Sequence, residues 1–185
     1  MLLNITDVLT TEGKTEEKQL DLEWKVFSYQ GSDFRITEKE PLVLGLSNNG
    51  DGKAKLTGRI KLAMQMQCDR CLEDVPYTFD ISFVRQVSAP EEETGGAMQQ
   101  DKESEEDILL DQKYYMEGYQ LNVENLVSNE IMLNWPMKIL CREDCKGLCS
   151  VCGKNLNDGE CGCDTFVPDP RMAKIQEIFH RDKEV

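Results

Sequence analysis

The chain has 185 residues, with 35 Asp and Glu against 21 Lys and Arg and a formal net charge of −14. That length suits one medium domain or two small ones and excludes a large multidomain enzyme. The charge argues against tight, sequence-blind nucleic-acid binding driven by counterion release. No apolar run approaches the roughly 20 residues that span a bilayer. The start, Met1-Leu2-Leu3-Asn4-Ile5-Thr6-Asp7, has neither the basic stretch nor the long apolar run of a secretory signal, so the expectation is a cytoplasmic protein.

The first half reads as strands. Phe34-Arg35-Ile36 and Leu42-Val43-Leu44 are short apolar runs separated by Pro41, which argues against a helix between them. Asn48-Asn49-Gly50-Asp51-Gly52 supplies residues that tolerate positive φ and predicts a tight reversal. Beyond it Ala54, Leu56, Gly58, Ile60, Leu62, Met64 and Met66 take every second position, the period of a long strand with one buried face. After Cys68-Asp69-Arg70-Cys71 the alternation resumes at Val75, Tyr77, Phe79, Ile81 and Phe83. Two long strands joined through a cysteine knuckle predict an antiparallel hairpin.

From Pro90 to Asp107 the character changes. Eight carboxylates face only Lys102, so half of the net charge sits in this stretch, which also contains Gly95-Gly96 and no aromatic residue. A solvated, flexible loop is expected, with a solubilising role as its simplest explanation. Order should return at Tyr114-Tyr115-Met116 and a Gly118 turn. Asn122 is placed to cap a helix with Val123, Leu126, Val127, Ile131 and Met132 or Leu133 on its core face, closed by Pro136. Near the C-terminus Asp169 and Pro170 can open a last helix bearing Met172, Ile175, Ile178 and Phe179 on one face.

Eight cysteines dominate the chemistry. In a reducing compartment, cysteines paired at short spacing are metal ligands more often than disulfides, although a secreted chain could use the same eight as four bridges. The groups are Cys68-x2-Cys71, Cys141-x3-Cys145, and Cys149-x2-Cys152 with Cys161-x-Cys163. A Cys-x2-Cys turn puts two thiolates on one side, and two pairs complete a tetrahedron around zinc. Two divisions fit the spacing. In the favoured one Cys149, Cys152, Cys161 and Cys163 close a local site, while Cys141 and Cys145 reach back to Cys68 and Cys71. In the other, Cys141, Cys145, Cys149 and Cys152 form the local site, and Cys161 and Cys163 join the knuckle. One or two structural zinc ions are expected, because four thiolates leave no open position for water.

Catalytic signatures are missing from the sequence: there is no phosphate-cradling Gly-x-x-x-x-Gly-Lys loop, nucleophile elbow or dinucleotide fingerprint. The one histidine, His180, reads as an exposed residue of the last helix. The one basic stripe is Lys53, Lys55, Arg59 and Lys61, which share a parity opposite the apolar row, with Arg70 at the knuckle. A solvated outer face explains it most simply; an RNA-facing patch is the functional alternative.

The expected architecture is α+β: an antiparallel β-sheet with a long hairpin, a packed helix, and a C-terminal Cys-rich zinc-binding segment ending in a helix. The expected division is residues 1–140, interrupted by the acidic loop 90–107, and residues 141–185.

Several motifs, taken together, resemble the bacterial YceD family. They are Cys68-Asp69-Arg70-Cys71-Leu72 between two strands, the helix ending Asn134-Trp135-Pro136, and Cys141 to Cys152 around Gly147-Leu148-Cys149. Gly153-Lys154-Asn155-Leu156-Asn157 and Asp169-Pro170-Arg171 follow in the same order. The resemblance runs from about residue 20 to the end. It implies a role in the accumulation of large-subunit ribosomal RNA, through its synthesis, processing or stability, and no catalytic residue. The partner would be a ribosomal protein, an rRNA-processing factor or pre-rRNA contacted through the basic strand face. The acidic loop fits a basic protein partner. A thiol redox switch that releases zinc on oxidation, an adaptor for a basic partner, and an RNA-processing hydrolase are the competing readings.

Overall fold

A computed structural model describes residues 1–48, 50, 53–89 and 112–164. The chain forms two compact units: residues 1–66 with 75–139, and residues 67–74 with 140–185. The second unit thus takes the knuckle segment from the middle of the chain.

The first unit is built on β6 (Lys53–Gln67). Ala54, Leu56, Gly58, Ile60, Leu62, Met64 and Met66 are all buried, while Lys55, Thr57, Arg59 and Lys61 face out. The period-two sequence becomes a strand with a dry face and a wet one. Its antiparallel neighbour β5 (Leu42–Asn48) pairs from Val43↔Arg59 to Asn48↔Ala54. Further along, β4 (Ser32–Lys39) pairs with β6 from Lys39↔Leu62 to Ile36↔Met64. Pro41, which has no N–H to donate, falls in the gap between β4 and β5. The ladder continues across that gap because the Glu40 N–H donates to the Lys61 carbonyl at 2.8 Å. The alternation of β6 breaks at Leu62-Ala63-Met64, all buried, opposite a register shift between Ile36 and Glu38.

On its other side β6 pairs with β7 (Asp74–Ser88), the expected long hairpin. Gly58 is required here: a Cβ at this position would lie 2.0 Å from Cζ of Phe83. β2 (Thr15–Leu20) extends the sheet beyond β5, and β3 (Val26–Tyr29) pairs with β4.

A second, three-stranded sheet has the order β1 (Leu2–Asn4), β9 (Gln120–Asn122), β8 (Met116–Glu117). Gly118 turns β8 into β9 at φ 61°. The short helix α1 (Thr6–Thr10) is tied to β5 by Asn48, whose Nδ2 donates to the carbonyls of Val8 and Leu9 at 2.7 and 3.1 Å.

Helix α2 (Val123–Leu133) starts where the sequence predicts: the Asn122 side chain accepts from the Asn125 N–H at 3.2 Å. Val123, Leu126, Val127 and Ile131 are buried on one face, and so is Glu130. After the helix, Trp135 enters an aromatic cluster with Tyr29, Phe34, Phe79 and Phe27 at ring-centroid separations of 4.6, 5.0, 5.8 and 6.1 Å. The architecture is therefore α+β and mostly antiparallel. The acidic segment 90–107, the helix expected from Asp169, and His180 lie outside the described residues.

In its described part the second unit carries little regular structure. Turns and a single antiparallel bridge, Leu148↔Asn155, shape it.

Candidate metal centre

Four thiols meet at each of two places in the second unit: Cys68, Cys71, Cys141 and Cys145, and Cys149, Cys152, Cys161 and Cys163. Within each group the sulfurs all lie within 4.8 Å of one another. This is the division in which the knuckle joins Cys141 and Cys145; Cys141, Cys145, Cys149 and Cys152 do not come together as one site. All eight cysteines are free thiols.

The geometry fits a tetrahedral ion. Zinc–sulfur bonds of ~2.3 Å imply a sulfur–sulfur edge of about 3.8 Å. The Cys68 and Cys145 sulfurs are 3.8 Å apart, and those of Cys71 and Cys141 are 3.5 Å apart. A disulfide would need about 2.05 Å.

Local sequence shapes both knuckles in the same way. Cys68 N–H donates to the Glu73 carbonyl and Leu72 N–H to the Cys68 carbonyl, at 2.8 and 2.9 Å. In the second knuckle Cys149 N–H donates to the Lys154 carbonyl and Gly153 N–H to the Cys149 carbonyl, each at 2.9 Å. Each turn ends with a residue at positive φ, Leu72 at 61° and Gly153 at 72°. Gly147, at φ 75°, lies against Arg70, where a Cβ would meet the Arg70 carbonyl oxygen at 3.0 Å. Arg70 Nη1 in turn donates to the Cys145 carbonyl at 2.6 Å, and Leu148 N–H to the Arg70 carbonyl at 3.1 Å. Asn155 Nδ2 donates to Glu73 at 2.8 Å, so side chains as well as sulfur join the knuckle to the C-terminal segment.

The electrostatics point the same way. Burial pushes the Cys68 thiol up, but backbone groups of Cys71, Arg70 and Cys141 outweigh it and bring the thiol down to about 6. The backbone beside Glu73 lowers Cys71, yet burial and the thiols of Cys68, Cys141 and Cys145 together raise it to about 12. Burial, then Cys145, raises Cys141; the Asn157 amide, 3.3 Å from its sulfur, lowers Cys145. In the other group, backbone N–H groups of Cys152 and Val151 bring Cys149 down to about 6. The neighbouring sulfurs of Cys152 and Cys161, with burial, push Cys163 up to about 12. Crowded sulfurs compete for protons in this way, and a divalent cation that replaces those protons relieves the crowding.

The two groups differ in exposure. Cys68, Cys71 and Cys145 are buried and Cys141 half-buried; in the other group only Cys149 is buried, and Cys152 is exposed.

The basic residues expected on the strand face lie along one face of β6, with Arg70 apart from them at the knuckle. Lys55, Arg59 and Lys61 are exposed on β6, but Arg59 pairs with Asp80 at 3.3 Å and Lys61 with Glu40 at 3.8 Å. Arg70 is in the second unit, bonded to Cys145. Sequence reading missed Asn157, Asn155 and Glu73 as supports of the thiols; the Asn155-Leu156-Asn157 motif was the available signal.

Comparison with known proteins places these features. The family model described as "Large ribosomal RNA subunit accumulation protein YceD" matches residues 56–179, which include both knuckles. The chain is 24% identical over 130 residues to "Large ribosomal RNA subunit accumulation protein YCED homolog 1, chloroplastic" of Zea mays, covering 60% of this chain and 44% of that protein. It is 26% identical over 124 residues to uncharacterized proteins of Mycobacterium bovis and Mycobacterium tuberculosis, covering 67% of this chain and 55% of each. The chain thus spans about half the length of these curated relatives. No solved structure matches. No helix among the described residues is long and apolar enough to cross a membrane. With most of its length, from near the start of β6 through the second cysteine group, matched by one family model, the chain belongs to the YceD family.

Proposed function

We propose that this protein is a non-enzymatic, zinc-stabilised cytoplasmic factor that supports accumulation of large-subunit ribosomal RNA. It would act on rRNA synthesis, processing or stability by binding a ribosomal protein, a processing factor or the precursor RNA. The observation that carries the reading is the family match over residues 56–179, whose description names that role. The name of the maize relative supports it. Two four-sulfur groups support a structural metal: four thiolates fill a zinc tetrahedron and leave no position for a reactive water. Zinc binding would then supply folding energy to a unit with little regular structure. Depletion in the native host, followed by measurement of mature large-subunit rRNA and subunit profiles, tests the reading. A specific deficit of the large subunit supports it, and unchanged rRNA and profiles contradict it.

The exposed Cys152 supports a second reading, a thiol switch. Hydrogen peroxide would take two electrons from two zinc-bound thiolates, joining them in a disulfide, and two protons from solvent, leaving as two waters, and the ion would be released. Retention of all metal under mild peroxide would exclude it.

A further inference from the structure

The two sulfur groups share no ligand, yet one stretch of chain serves both. Residues 154–157 lie between the ligand pairs of the second group, Cys149-x2-Cys152 and Cys161-x-Cys163. Bonds around the second group hold that stretch. The Cys149 N–H donates to the Lys154 carbonyl at 2.9 Å, and the Lys154 ammonium donates to the carbonyl of Glu160, next to Cys161, at 3.1 Å. Its two asparagine side chains serve the first group instead. Asn157 Nδ2 donates to the Cys145 sulfur at 3.3 Å, while its Oδ1 accepts from the Lys146 N–H at 2.8 Å. Asn155 Nδ2 donates to the Glu73 carboxylate at 2.8 Å, and the Glu73 carbonyl accepts from the Cys68 N–H at 2.8 Å. The Asn157 N–H donates to Asn155 Oδ1 at 3.0 Å, so the two asparagines are set in place together.

We propose that the two metal sites load cooperatively, with Asn155 and Asn157 as the link between them. An ion held by Cys149, Cys152, Cys161 and Cys163 closes the loop that carries both asparagines. The closed loop then sets Asn157 on Cys145 and Asn155 on the knuckle of Cys68 and Cys71. The proposal rests on the structural-metal reading above and deepens it. An amide N–H aimed at a metal-binding sulfur takes up part of its negative charge and fixes its orientation. With the second site empty, the first ion alone must order residues 154–157, and that entropy is charged against its affinity. Each ion therefore raises the affinity for the other by the same factor. Exposure sets the sequence of loss. Cys152 is exposed, and Cys161 and Cys163 are half-buried, whereas three of the four ligands of the first site are buried. The second ion meets solvent and competing ligands first, and its departure loosens the hold on the buried one.

The test uses the full chain loaded with cadmium, followed by cadmium NMR, which gives each sulfur site its own resonance, and by chelator competition. Cys149→Ser removes a ligand of the second site alone. It should leave the first site's resonance present but shifted, and its ion about tenfold more weakly held. Asn157→Ala keeps all eight thiols and should also weaken the first site, by about 10- to 100-fold, the range for groups bonded to a metal's ligands. Combining the two should cost less than the product of the separate effects, because both break one path. Circular dichroism unchanged from wild type establishes that the variants fold. The proposal is overturned if the first site's resonance and affinity in Cys149→Ser match wild type, if Asn157→Ala holds both ions like wild type, or if the two effects simply multiply. Two ions bound independently would leave the structural-metal reading standing without the coupling. A chain that takes up no metal would remove both.

Discussion

Leu72 and Gly153 occupy the same position in the two Cys-x2-Cys knuckles. Each donates its N–H to the carbonyl of its knuckle's first cysteine at 2.9 Å, with φ of 61° and 72° respectively. Glycine meets that conformation freely; an L-residue with a side chain pays about 1–2 kcal/mol. The Leu72 side chain is 58% exposed and recovers little of this by burial. Leu72→Gly should therefore stabilise the knuckle by about 0.5–1 kcal/mol, after allowing for the greater freedom of glycine in the unfolded chain. Gly153→Leu should destabilise the other by about 1 kcal/mol. Denaturant unfolding at fixed zinc concentration measures both, and a loss of stability in Leu72→Gly would show that this leucine has a packing role.

Across the long hairpin, the Phe83 ring occupies the space a side chain at Gly58 would need. Because a Cβ would sit 2.0 Å from the ring, Gly58→Ala must displace Phe83 or the strand. The expected cost is about 1–3 kcal/mol, the range of overpacked cores. Phe83→Leu in the same chain should recover part of it, and thermal unfolding of the single and double variants checks this non-additivity.

Glu130 is almost wholly buried on α2, its side chain only 3% accessible, and bonded to the 28% accessible Arg85. Glu130→Leu alone removes the buried carboxylate that Arg85 Nε bonds and should cost about 3 kcal/mol. Replacing both residues, Arg85→Met with Glu130→Leu, should come close to wild-type stability, because the two desolvation costs disappear together. A double variant as unstable as the single would contradict this account of the pair.

Trp135 contacts four aromatic rings directly after α2. Trp135→Ala should cost about 3 kcal/mol, the lower end for a large aromatic since the side chain is only half-buried. Trp24, its ring tilted 41° to that of Phe27 at a centroid separation of 6.2 Å, reports the same cluster, and its fluorescence should shift to the red in the variant.

What could be read in advance follows from how local each signal is. β6 was legible because seven buried residues at every second position admit no other period. α2 was legible because Asn122 caps a run of apolar residues at helical spacing. Three groups of short cysteine spacings announced the metal ligands. By contrast, β1 and β9 are three residues each and pair across more than a hundred positions, Leu3 with Leu121, so no local pattern marks them. β2 hid because its inward-facing positions hold Glu16 and Lys18, which pair with each other at 3.2 Å, in place of apolar residues. The basic stripe was visible, but its partial neutralisation was not. Asp80 and Glu40 reach Arg59 and Lys61 only once β7 and the Glu40–Pro41 bend are folded against β6. The aromatic cluster likewise draws on four separate stretches of chain that only tertiary structure unites.

Elemental analysis of the reduced, purified protein tests the central claim most directly. Two zinc ions per chain are predicted, falling to one in Cys68→Ser and to one in Cys149→Ser, because the two sulfur groups share no ligand. A reduced protein that carries no zinc yet keeps its fold, or a single substitution that empties both sites together while the rest of the chain stays folded, would contradict it.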